Sequence, residues 1–156
     1  MNTPPPLSTD DRSRAERRLV GHALAHWDRL RGGRAFPTRD DFDAAPPDCA
    51  PEAVYLVAVG SDEASDRFIR VGEAVSTALG RDPVGLAVTE VLPSATEMGL
   101  SFCRTVADMK KPIADVGRFT NAAGADVWYR SILLPLSDDQ AHINYVVGVF
   151  SYKFAN

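Results

Sequence analysis

The chain has few of the residues that carry metal and nucleophile chemistry: two cysteines and three histidines among 156 residues. Cys49 and Cys103 lie far apart and match no paired metal or redox spacing. His22 and His26 sit one helical turn apart, a spacing that can place two imidazoles on one metal. No third ligand accompanies them and the HExxH pattern is absent, so no metal site is assigned. Gly-x-Ser-x-Gly, the P-loop and the dinucleotide fingerprint are missing too. Asp82, Asp115 and Asp126 fall at turns or strand ends, where solvent is the simplest partner. Nucleophile, base and orienting group do not converge, and the expected protein is not an enzyme. No apolar segment is long enough to cross a membrane. The opening Met-Asn-Thr-Pro-Pro-Pro lacks the charged-then-apolar order of a signal peptide. These absences point to a reducing cytoplasm.

A formal net charge of −4 argues against a general nucleic-acid binder, which carries a basic surface. The charge is unevenly placed. Residues 1–39 hold eight arginines against four acids, a balance of +4 that leaves −8 on the remainder. A basic arm can meet an acidic partner or an acidic face of its own domain, and a solvated helix face gives the same pattern.

The length suits one domain, and a hydrophobic content of 45% is ordinary for a globular protein. Residues 1–7 are proline-rich and are expected to be loose. Residues 8–33 read as an amphipathic helix. Ser8 or Thr9 caps it, and Leu19, Val20, Ala23, Leu24, Trp27 and Leu30 recur on one stripe. Gly32-Gly33 ends it. That stripe must be buried on the helix's own domain or on a second copy, so these six residues are the expected dimer or partner contact.

Residues 34–156 read as an α+β domain. Thr38 with Asp41 starts a short helix. Ala53–Val59 is a nearly continuous apolar run that suits a strand buried on both faces. Phe68–Val71 resumes strand, with Phe68 and Arg70 set against Ile69 and Val71 by alternation. Glu73–Leu79 is a short helix ended by Gly80. Ser94 with Glu97 caps a longer helix that Pro112 stops. Its inward stripe is Met98, Phe102, Val106 and Met109. Three strands follow, Pro112–Thr120, Asp126–Leu136 and His142–Tyr152, joined by short turns that require antiparallel pairing.

RVGEAVSTALGRDPVG (70–85) resembles the early part of a PAS domain. WYRSILLPLSDD (128–139) and INYVVGVFSY (143–152) resemble its last two strands, with Gly148 as the small residue near the middle of the final one. WDRLRGGRAFPTRDDFD (27–43) is similar to the lead-in of compact, single-domain bacterial PAS proteins once grouped as a domain of unknown function. The resemblance covers about residues 27–152. It implies a five-stranded antiparallel sheet with helices packed on one face and a pocket between them. It further implies sensing and signal relay, through dimers built on a helix N-terminal to the core.

No haem or flavin motif accompanies the resemblance. Flavin-binding light sensors carry Asn-Cys-Arg-Phe on a helix before the long one. Here Phe102-Cys103-Arg104 lacks the asparagine and lies within the long helix, so Cys103 reads as a small buried hydrophobe. His142 reads as a strand-end surface residue rather than a haem ligand, and the cofactor stays unassigned.

Ile69, Val71, Phe102, Val106, Met109, Trp128, Arg130, Ile132, Val146 and Gly148 are the expected ligand-binding positions. Arg130 shares parity with Trp128, Ile132 and Leu134, and a guanidinium there can fork onto an anion. Arg70 reads as solvent-facing, and Tyr145 and Tyr152 are alternative polar handles. The expected protein is a non-enzymatic sensory or adaptor domain, homodimeric through its N-terminal helix. It binds a small apolar or anionic ligand or a downstream signalling protein, and neither nucleic acid nor membrane. A ligand that prefers one docking state of the helices would shift the population toward it. The alternatives are a ligand-free interaction module with a filled core and an enzyme on a small α+β fold.

Overall fold

Helix α1 spans Thr9–Arg31 in the computed structural model, which describes residues 9–47, 51–91 and 102–155. Its C-terminus follows from local chemistry. Gly32 takes the left-handed conformation (φ 59°) and its N–H donates to the Arg29 carbonyl. Arg34 reaches back to donate to the carbonyls of Leu30 and Arg31. Helix α2, Arg39–Ala44, starts at the expected capping box: the Thr38 hydroxyl accepts from the Asp41 N–H, and the Asp41 carboxylate accepts from the Thr38 N–H.

The rest of the chain supplies strand β1 (Val54–Ala58), strand β2 (Arg67–Val71), helix α3 (Glu73–Leu79) and the single turn α4 (Val88–Val91). Helix α5 (Phe102–Met109) and strands β3 (Ile113–Thr120), β4 (Asp126–Leu136) and β5 (Tyr145–Phe154) follow among the described residues. The Ser94–Glu97 cap and Met98 lie outside the described residues. All five strands form one antiparallel sheet in the order β2-β1-β5-β4-β3.

Two details depart from the sequence pattern. Strand β5 begins at Tyr145 and not at His142. The Asp139 carboxylate accepts the N–H groups of Ala141 and His142, and this holds them in the turn, off the ladder. The register of β1 against β2 shifts between Leu56 and Val57, so that Ile69 is the extra residue of a β-bulge. The bulge breaks the expected alternation. Phe68 pairs with Val57 while Arg70 pairs with Leu56, and the two side chains leave opposite faces of the sheet.

Both faces are covered. The register places Tyr55, Val57, Phe68, Val127, Tyr129, Leu133, Val146, Gly148 and Phe150 on one face, here the inner face. Helices α3 and α5 pack there. Leu56, Ile132, Leu134, Leu136, Val147 and Val149 point the other way and are equally buried. Helices α1 and α2 supply that cover. Ala23 and Trp27 of α1 are buried, and Leu19, Val20 and Leu30 are partly buried against the core.

The Trp27 indole N–H donates to the Pro135 carbonyl at 2.8 Å. Strand β3 pairs with β4 only as far as Leu133, so Pro135 sits where the outer edge of β4 is free. A proline, lacking its N–H, is tolerated there, and its carbonyl is open to α1. The lead-in behind α1 is tied to the β4–β5 turn. Gln140 accepts from the Phe36 N–H and donates to the Phe36 carbonyl, while the Ser137 N–H donates to the Pro37 carbonyl.

Replacing Trp27 by Phe keeps an apolar ring under α1 but leaves the Pro135 carbonyl unpaired. The expected loss is about 1–3 kcal/mol of unfolding free energy. A lower urea midpoint with an unchanged slope would report it.

Candidate functional site

Tyr55 is the one polar-tipped side chain in the apolar run of β1, and it is 1% exposed. It lies directly opposite Gly148 of β5. Its ring covers that glycine: a Cβ at position 148 would sit 2.0 Å from Tyr55 Cζ and 2.2 Å from Cε1. The ring therefore reaches across β5, with Phe68 edge-on behind it at 5.7 Å. Its hydroxyl has no hydrogen-bond partner among the described residues. A buried hydroxyl without a partner costs about 1–3 kcal/mol, so this is a place where a water or a ligand atom is favoured.

The titratable groups that act on the hydroxyl identify its surroundings. Burial pushes its pKa well above the ordinary tyrosine value, and Cys103, Tyr129 and Asp115 add to the shift. Cys103, on α5, is 1% exposed, and burial pushes its thiol up to about 12. Both groups are thus neutral at any ordinary pH. Tyr129 donates its hydroxyl to Asp115 of the edge strand β3. Burial, then that carboxylate, raises its pKa as well.

Arg104 sets the position of Cys103. Its guanidinium forks onto Asp66, just before β2, and also donates to the Gly60 carbonyl at 3.1 Å. Asp66 is 1% exposed and accepts a further bond from the Gly60 N–H. Its pKa is raised by burial, against the pull of the Gly60 N–H and of Arg104. Helix α5 is thereby pinned to the β1–β2 connection with Cys103 turned inward.

The expected ligand positions divide between the two faces. Val106, Val146 and Gly148 are with Tyr55, and half-buried Val71 pairs opposite it. The space above Gly148 is taken by the Tyr55 ring rather than left open. Trp128, Arg130 and Ile132 project from the opposite face, because each is one residue out of step with Tyr129 and Leu133. Trp128 is 42% exposed beneath Arg118, and Ile132 is buried behind the sheet. Met109 is 52% exposed at the end of α5, where the helix has passed the sheet, and so does not join an inward stripe. Ile69 is the bulge residue. The Phe102 side chain lies outside those described.

Of the polar handles, Tyr145 lies under the Arg39 guanidinium on the back of the sheet, and Tyr152 stacks on Phe150. His142 pairs with Asp139 in the β4–β5 turn. Among the described residues no three His, Cys, Asp or Glu side chains cluster as a metal site.

Sequence reasoning passed over Tyr55, and the signal was present. A tyrosine inside a strand buried on both faces must place its hydroxyl somewhere without solvent.

Replacing Gly148 by Ala would drive a methyl into the Tyr55 ring and cost about 1–3 kcal/mol or more. The added substitution Tyr55→Leu should recover part of that loss. Thermal midpoints of the two single variants and the double variant measure the coupling.

The sequence matches the PAS domain family over residues 15–151. No curated protein matches it. Among solved structures the chain is similar to the LOV domain of a blue-light activated histidine kinase from Erythrobacter litoralis EL346. The identity is 18% and the TM-score 0.50, covering 69% of this chain and 100% of that one. It is also similar to the light-state LOV domain of the blue-light photoreceptor Aureochrome1. There the identity is 14% and the TM-score 0.51, covering 65% of this chain and 81% of that one. At these identities the likeness shows the fold alone.

Proposed function

The chain belongs to the PAS-domain family, and from that premise we propose that it is a sensory or adaptor domain that holds a small ligand against the inner face of its sheet. The carrying observation is the Tyr55 hydroxyl, buried and without a partner among the described residues. Around it stand the neutral Cys103 thiol and the apolar side chains of Val106 and Val146. A group that accepts from Tyr55 would remove the cost of the unpaired hydroxyl.

Binding there is coupled to both ends of the molecule. Helix α5 is fixed to the β1–β2 connection through Arg104 and Asp66. Helix α1 rests on the opposite face of the same strands. A ligand that favours one docking of α5 on the sheet shifts the population of that docking, and a partner reading the sheet or α1 would sense it. No catalytic step belongs to this reading.

Native mass spectrometry of the freshly purified protein, followed by denaturing extraction, tests the ligand directly. A retained small molecule that is lost from Tyr55→Phe supports the reading. A retained molecule indifferent to that change moves the site elsewhere. In the ligand-free protein Tyr55→Phe should leave stability unchanged or raise it, since it removes a buried unpaired hydroxyl.

The proposal includes a homodimer built on α1. Most of the α1 stripe is engaged with its own sheet, and Leu24 is the member left 41% exposed. Leu24→Asp should therefore halve the mass measured by light scattering while the circular dichroism stays native. An unchanged mass would remove α1 as the dimer contact.

A further inference from the structure

At the β2 end of the sheet lies a cavity of about 260 Å³, lined mainly from behind the sheet and, at its margin, by Val71, the partner of Tyr55. Phe42 of α2, Pro46, Pro47, Pro51, Val54 and Leu56 form its apolar wall. Leu56 and Arg70 pair across β1 and β2 and leave the sheet on the face opposite Tyr55. Three of those six residues are prolines, whose φ the ring fixes. Its floor is closed where Gly72 meets the Glu52 carbonyl, with no room for a Cβ.

Among the described lining residues, Arg70 is the charged one. Arg70 lines the cavity with its side chain half-exposed, and donates through Nη1 to Asp43 at 2.9 Å. Asp43 is shared with Arg39, whose Nε lies 3.5 Å from its other oxygen. One carboxylate thus serves two guanidiniums, and the Nε and Nη2 groups of Arg70 make no hydrogen bond among the described residues. Glu52 and Glu73 line a different surface hollow. A guanidinium with spare N–H groups beside a dry wall suits a carboxylate carrying an apolar tail: the head forks onto the arginine and the tail leaves water. An apolar cavity of roughly 150 Å³ accepts benzene, so this one has room for about ten heavy atoms.

We infer that this cavity is a second binding site, for a small monocarboxylic acid with an aliphatic tail of medium length, its carboxylate on Arg70. The site is independent of the ligand proposed for the inner face.

Octanoate is the probe, titrated into the full chain and followed by amide chemical shifts, with octanamide as the uncharged control. Saturable shifts centred on Phe42, Val54 and Gly72 are expected, with octanoate bound more tightly than octanamide. Arg70→Gln should weaken octanoate about tenfold or more, the loss of a charge-assisted bond. It should leave octanamide unchanged. Arg70→Lys should lie between, which separates loss of charge from loss of fold. Tyr55→Phe should leave octanoate binding as it is. Four results would each overturn the site: no saturable shifts, shifts centred on Tyr129 and Phe150, equal affinity for acid and amide, or indifference to Arg70→Gln.

Discussion

The Tyr55 ring lies where a side chain at position 148 would stand, and much of the interior follows from that contact. Only glycine admits it, since any Cβ would overlap the ring. The ring then bridges β1 and β5 and brings a buried hydroxyl to the inner face. Cys103 on α5 lies near it, and Val106 of the same helix is buried in the same core. A leucine in place of Tyr55 would fill much of the same volume but would remove the one buried hydroxyl there that lacks a partner among the described residues. The choice of a tyrosine with a glycine beneath it is therefore a statement about polarity in the core as much as about packing.

A sheet that is apolar on both faces cannot stand with one face in water. The inner face is closed by α3 and α5, and the back by α1 and α2. Helix α1 is thus part of the fold. Its Trp27 satisfies a strand carbonyl that β3 no longer reaches, and its stripe covers Leu134, Val147 and their neighbours. The cover is incomplete at two places. One is the β2 end, where α2 and the prolines enclose a cavity rather than fill it. The other is the β3 side, where Val116 and Trp128 remain open to solvent.

The elements set by local chemistry were legible in the sequence. Helix α1 was marked by its stripe and glycines, α2 by its capping box, and α3 by Gly80, which ends it in the left-handed conformation. Strand β4 was legible end to end because turn residues bound it on both sides. The five-stranded sheet followed from the short turns and the PAS resemblance together. What alternation does not carry is which face meets which helix. Arg130 and Trp128 were grouped correctly with Ile132 by parity, but that group faces α1's side of the sheet, away from Cys103. The bulge at Ile69 was hidden for a related reason. An inserted residue in an apolar strand leaves no mark in composition and reverses every side chain beyond it. The late start of β5 depended on Asp139 capturing two backbone N–H groups, a choice that only the folded turn reveals.

The two margins of the sheet differ in what they offer another chain. Along β2 the outer backbone is partly occupied: the Phe68 N–H donates to Leu86, the Gly85 N–H donates to Phe68, and Arg67 bridges to Ala87. Along β3 no described strand lies beyond, so the N–H and C=O groups of alternate residues in its eight face outward with no strand partner among the described residues. Asp115 sits midway along it with its carboxylate turned inward beneath the Tyr129 hydroxyl. A strand annealing to this margin would seal that charge further from water, and an inward charge on a terminal strand is a recognised guard against fibril growth. The same carboxylate that helps to shape the electrostatics of the interior is a charge that any strand added at this margin would have to bury.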